Sequence, residues 1–74
     1  MNPYAAFLYI VLTHEPCTRF HLERLQGGKF KNLIDDCIQL GYIYSPKTNK
    51  SGDNLYYISD SGRKIVDNPK EELL

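Results

Sequence analysis

The sequence predicts a small α+β domain: three helices, a two-stranded hairpin and a short closing helix. Three observations carry that expectation. Residues 29–40 gather their apolar side chains on one arc of a helical wheel. Two runs rich in aromatic and β-branched residues, 42–45 and 55–59, follow at once and flank a loop-forming stretch, 46–54. Ahead of them, a helix-start pair at Asn2-Pro3, a proline at Pro16 and a glycine pair at Gly27-Gly28 divide the first 28 residues into two further helices.

The first helix starts with Asn2 as N-cap and Pro3 at the first helical position. Residues 4–12 are then apolar without interruption. Tyr4, Phe7, Leu8 and Val11 form one face, and Ala5, Ala6, Tyr9 and Ile10 lie largely on the other. A surface helix carries a polar back; this one has none. Either its own domain covers both sides, or the Ala5/Tyr9 side meets a second copy or a partner. Pro16 cannot continue a helix. Thr18 then caps a second helix over 19–26, with Leu22 and Leu25 facing inward and Phe20 able to point either way. Gly27-Gly28 ends it in a tight turn.

In the third helix, 29–40, Phe30, Leu33, Ile34, Cys37, Ile38 and Leu40 share the apolar arc. Lys31, Asn32, Asp35 and Gln39 share the opposite arc, with Lys29 and Asp36 at its edge. Gly41 is the stop. The hairpin follows, its loop rich in Pro, Asn, Ser, Gly and Asp. Asp60 or Ser61 caps a fourth helix through Val66. Asn68-Pro69-Lys70-Glu71 repeats a helix-start signature, leaving a helical turn that docks Leu73 and Leu74, or a frayed tail. The expected division is one domain, 1–68, and a tail, 69–74. At 74 residues the core is small, and a partner subunit often helps such a chain.

No apolar stretch is long enough for a bilayer. Residues 4–12 lack the basic flank and cleavage site of a signal peptide, so the expected compartment is the cytoplasm. Cys17 and Cys37 are expected to be reduced, with Cys37 a small hydrophobe on a helix face. Nine basic residues balance nine acidic ones. That weighs against a strong nucleic-acid binder, which needs clustered positive charge. The distribution weighs the other way. Lys29, Lys31, Lys47 and Lys50 fall in one helix and one loop, while Glu71 and Glu72 lie in the tail.

A helix that enters the major groove reads bases with its N-terminal residues. Here those are Lys29, Lys31 and Asn32, with Gln39 further on. Lysine suits guanine acceptors and asparagine suits adenine. The loop Lys47-Thr48-Asn49-Lys50 would reach a phosphate or the minor groove, and Thr18 and Arg19 would hold the DNA backbone. Against this stands Asp35, central on the exposed face, with Asp36 beside it: an aspartate can accept from cytosine but more often repels phosphate. The plain alternative is a solvated face with Lys31 and Asp35 as an (i, i+4) pair. His14-x2-Cys17-x3-His21, with Cys37 nearby, has metal-like spacing, but a structural zinc site needs four convergent ligands. The expectation is no metal, two surface or boundary histidines and a half-buried Cys17. No nucleophile elbow or phosphate-binding loop occurs, so no catalytic residue and no cofactor are expected. Gly27-Gly28 ahead of a helix would bind one anion, a DNA phosphate in this setting. The tyrosines are explained by packing.

Leu33-Ile34-x3-Ile38-x-Leu40-Gly41-Tyr42-Ile43 is similar to a recognition helix followed by "LxxxGYI". Tyr57-Ile58-Ser59-x2-Gly62-Arg63 is similar to a "Y-x-L/I-T/S-x-x-G" motif at the end of a wing. In this order the motifs make the chain resemble, over nearly its whole length, the winged helix-turn-helix superfamily of bacterial and phage transcription regulators, including the MarR and PadR groups. The resemblance implies a three-helix core, a β-hairpin wing and a short C-terminal helix. Lys29, Lys31 and Asn32 would be groove residues, and Lys47 to Lys50 the wing tip. The chain departs from the pattern in lacking a wing arginine and a long dimerisation helix, and in carrying two acids on the recognition face.

The functional expectation is a sequence-specific DNA-binding transcription regulator, not an enzyme. Helix 29–40 would lie in the major groove of double-stranded DNA, with wing 46–54 on the backbone or minor groove. A homodimer would form through helix 4–12 or the tail, with no membrane involved. The alternative is a winged-helix protein-interaction module without strong DNA binding.

Overall fold

The computed structural model describes residues 3–26 and 33–67. Among them run α1 (Ala5–His14), α2 (Arg19–Gln26), α3 (Leu33–Gln39), β1 (Ile43–Thr48), β2 (Asn54–Ile58) and α4 (Asp60–Asp67). The architecture is α+β: four helices and a two-stranded antiparallel hairpin. No described helix is long and apolar enough to cross a membrane.

α1 begins later than the sequence suggests. Pro3 lies in the turn ahead of it, not at the first helical position. Tyr4 is the flanking residue, and its carbonyl accepts the first helical bond from Leu8 N at 2.9 Å. Tyr4 also packs edge-on against the Tyr42 ring, with centroids 5.8 Å apart. The cap at Asn2 lies outside the described residues. α1 continues to His14 and stops where expected: Glu15 turns extended and donates its N–H to Val11 O.

Phe7, Leu8 and Val11 of α1 are buried. Ala5 joins them, which corrects its assignment to the opposite face: three residues before Leu8, it sits on the border of the buried stripe. Ala6 and Tyr9 are exposed. α4, β2 and α2 pack against α1, and the described chain leaves its Ala6/Tyr9 side open. Cys17, Leu22 of α2, Leu33, Ile34 and Cys37 of α3, Ile43, Tyr56, Ile58 and Ile65 complete the core. The side chain of Leu25 lies outside the description.

α3 closes as the sequence predicts. Gly41 takes a positive φ of 78°. Its N–H reaches Ile38 O at 3.1 Å, and Tyr42 N reaches Cys37 O at 2.8 Å, the paired closure of a left-handed C-terminus. Two expected core residues are not in the core. Leu40 lies past the helix end and is 52% exposed, because the wheel stops governing it after Gln39. Ile38 stands on the shoulder of the stripe, about a quarter-turn from the centre of Leu33, Ile34 and Cys37, and is exposed.

The hairpin pairs Ile43 with Ile58 and Tyr44 with Tyr57, then resumes at Lys47–Leu55 and Thr48–Asn54. β1 advances one residue more than β2 between these pairs, so a bulge falls around Ser45-Pro46. The bulge absorbs a proline that has no N–H to donate. β1 therefore runs on through Pro46, Lys47 and Thr48, which the sequence placed in the loop, and only residues 49–53 form the tip.

β2 is bound on both edges. Cys17 N donates to Tyr56 O at 3.1 Å, and Tyr56 N to Cys17 O at 2.7 Å. A carboxylate oxygen of Glu15 accepts the N–H of Ile58 at 2.9 Å. Alternate residues of a strand address opposite edges, so Tyr56 and Ile58 face the α1–α2 connection while Tyr57 faces β1. Cys17 is fully buried, not half-buried, with its thiol donating to His14 O.

Ser59 caps α4, in place of Asp60 or Ser61. Its hydroxyl accepts the N–H of Gly62 at 3.1 Å, and its carbonyl accepts that of Arg63. Asp60 sits in the first turn instead, where the helix dipole favours a carboxylate. The Ser59 hydroxyl has the carbonyls of both Gly41 and Tyr42 within donating reach, and Ser59 N donates to Tyr42 O at 2.9 Å. A Cβ at Gly62 would collide with the Tyr42 carbonyl oxygen and come within 2.9 Å of Ile58 Cγ1. Gly41-Tyr42 and Ser59-x2-Gly62 are thus two sides of one joint. That joint ties the end of α3 to both ends of the hairpin and to α4.

Candidate nucleic-acid interface

The candidate surface has three parts: the start of α2, the exposed arc of α3 and the hairpin tip. At the start of α2, Thr18 is the expected N-cap. Its hydroxyl accepts the N–H of His21 at 3.2 Å, and its carbonyl that of Leu22 at 3.0 Å.

Arg19 reaches from α2 to α3. Its Nη1 donates to Asp35 Oδ1 at 2.8 Å, and its Nε lies 3.6 Å from Glu23 Oε1, one turn along α2. The hydrogen bond to Asp35 raises the arginine above its ordinary range and lowers the aspartate below its own. The pair is exposed and contributes little to stability. Its effect is local: the acid at the centre of the exposed arc is matched by a cation from the neighbouring helix. Asp36 is also engaged. The Tyr4 hydroxyl donates to its Oδ2 across a long 3.5 Å. Burial first, and the Asp36 charge second, push the Tyr4 phenol upward.

Gln39 is exposed at the end of α3. Lys29, Lys31 and Asn32, with Gly27, Gly28 and Phe30, lie outside the described residues. The Lys31–Asp35 pair is therefore not described, and the partner found for Asp35 is Arg19.

Lys47 is not at the tip. It lies in β1, and its ammonium sits 5.8 Å from the centroid of the Tyr57 ring, a cation–π distance. The Tyr57 ring in turn neighbours Tyr44 across the strands at 6.3 Å. Asn49 builds the tip. Its amide oxygen accepts the N–H groups of Ser51 and Asp53, both at 2.9 Å, an Asx-type closure. Asn49 N donates to Asp53 O, Gly52 N donates to Asn49 O, and Gly52 takes a φ of 86°. The three-residue connection Lys50-Ser51-Gly52 is thereby shaped in advance, with Lys50 exposed on it.

The histidine–cysteine spacing has a different outcome. The His14 and His21 rings meet edge to face at 6.0 Å, and His14 Nδ1 lies 2.9 Å from Ile10 O. The Cys17 thiol turns to His14 O. Cys37 is fully buried, and desolvation pushes its thiol up to about 12, the state of an inert core residue. Among the described residues, no group of three or more His, Cys, Asp or Glu converges to hold a metal ion.

No protein-family model, no curated protein and no solved structure matches the chain. Function therefore rests on the geometry of the surface itself.

That geometry adds couplings which residue types alone do not reveal. Arg19 and Asp35 are 16 positions apart, and Tyr4 and Asp36 are 32 apart. No local spacing rule connects either pair. A weak signal for Lys47 existed in the tyrosine-rich strands, since cross-strand neighbours pair on one face.

Proposed function

We propose that the chain is a winged helix-turn-helix domain of a DNA-binding transcription regulator. α3 is the recognition helix and the hairpin is the wing. The observation that carries this reading is the joint between Gly41-Tyr42 and Ser59-x2-Gly62. A groove-reading helix and a backbone-touching wing must keep a fixed mutual position, and this joint supplies it. The pre-shaped tip bearing Lys50 and the pairing of Asp35 by Arg19 support the same reading. With no net charge, one subunit binds weakly. Two copies on two half-sites offset this, and the open Ala6/Tyr9 side of α1 is available for their contact.

Fluorescence anisotropy with duplex DNA at low salt tests the proposal. Binding weakens as salt rises. Lys31→Ala and Lys50→Ala each lower affinity and flatten the log–log salt dependence by about 0.9 for each phosphate no longer neutralised. Wild-type affinity and salt slope in both variants would refute it.

A second reading has its own support. Tyr9, Phe20 and Leu40 are large apolar side chains more than half exposed, Tyr44 is close to half, and Phe20, 69% exposed, carries the Arg24 guanidinium over its ring. A protein-interaction module would use such side chains. It predicts no DNA binding at low salt.

A further inference from the structure

We infer that Asp35 is a positioning residue for DNA: it holds the Arg19 guanidinium over the exposed arc of α3, so that the remaining N–H donors meet a backbone phosphate. The inference rests on the DNA-binding reading above.

Arginine carries more N–H donors than one carboxylate oxygen can take, arranged in a rigid planar fork. Only Nη1 is bonded to Asp35, through one oxygen, and Nε leans toward Glu23 beyond hydrogen-bond distance. No described residue accepts from Nη2. The group is exposed and stands at the start of α2, the helix before the recognition helix. A free arginine loses rotamer freedom when it grips a phosphate. Here the bond to Asp35 favours one placement of the side chain, so that part of this cost is met before DNA arrives.

This assignment reverses the sign expected from charge alone. An aspartate on a DNA-facing surface repels phosphate, so its removal would tighten binding. A positioning aspartate does the opposite. The test measures binding of a random-sequence DNA duplex at low salt, where phosphate contacts dominate whatever the sequence. The proteins are wild type, Asp35→Ala, Asp35→Asn, Arg19→Ala and the Arg19→Ala/Asp35→Ala double variant. Melting curves confirm that each is folded.

Asp35→Ala and Asp35→Asn are expected to bind about 2- to 10-fold more weakly than wild type, the worth of one side chain ordered in advance. In the Arg19→Ala background the sign flips: removing Asp35 now tightens binding, because only repulsion is left to lose. A purely structural role for Asp35 would not produce that reversal. Equal or tighter binding by both single Asp35 variants would overturn the inference and leave the DNA reading intact. No salt-dependent binding by wild type would overturn both.

Discussion

Gly62→Ala is expected to destabilise the domain by about 3 kcal/mol, a large part of what a chain this small has. The added methyl group would enter the space of the Tyr42 carbonyl oxygen and press on Ile58 Cγ1 at 2.9 Å. The wall it meets is backbone, not the end of a flexible side chain. Tyr42 cannot retreat freely, since its carbonyl accepts from Ser59 N and its N–H closes α3 on Cys37 O. Overpacking in a well-filled site costs about 1–3 kcal/mol, occasionally more, and an immovable carbonyl places this case at the upper end. A chain of this length has a total stability of about 4–11 kcal/mol. A loss of about 3 kcal/mol lowers Tm by about 12–24 °C. Thermal and urea unfolding followed by circular dichroism read it directly. Gly52→Ala is the comparison. Its added carbon meets nothing within 4 Å, and only its φ of 86° is strained, at about 1–2 kcal/mol. A Gly62→Ala protein that melts with wild type would mean that α4 does not approach Tyr42 as described.

Leu22→Ala is expected to cost about 2–5 kcal/mol. Leu22 is fully buried on a helix whose other described side chains, from Arg19 to Arg24, are exposed. It fastens α2, which packs against α1, α3 and β2. Truncation leaves a cavity where those elements meet and loosens the helix that carries Arg19. The denaturant midpoint should fall by an amount matching that range. Leu22→Met, which nearly conserves volume, should lose less than about 1.5 kcal/mol. Equal, small losses in the two variants would show that the site is not tightly packed.

What the sequence made readable was whatever short-range chemistry decides. Thr18 caps α2 because a hydroxyl before a helix finds its free N–H groups. Gly41 stops α3 because the chain needs a positive φ there. The stripe of Leu33, Ile34 and Cys37 follows from helical spacing. What stayed hidden is decided across the fold. Cys17 pairs with Tyr56, and Glu15 reaches Ile58 N, although the intervening chain carries no trace of either contact. Pro46 read as loop because a proline disfavours a strand, and the bulge that accommodates it appears only in the pairing register. Ser59, not Asp60, caps α4 because it serves the Gly41-Tyr42 turn at the same time. Of the candidate surface, the exposure of Arg19, Gln39 and Lys50 was readable. The clasp of Arg19 on Asp35, the seat of Lys47 on Tyr57 and the use of the Asn49 oxygen within the tip were not.

The most direct test of DNA binding is an NMR titration of the protein with random-sequence duplex DNA at low salt, following backbone amides. A groove helix and a wing acting together predict shifts clustered at residues 28–35 and 46–52, fading together as salt rises. Amides in both segments that stay still at low salt, with duplex in excess, would contradict DNA binding through this surface and favour a protein partner.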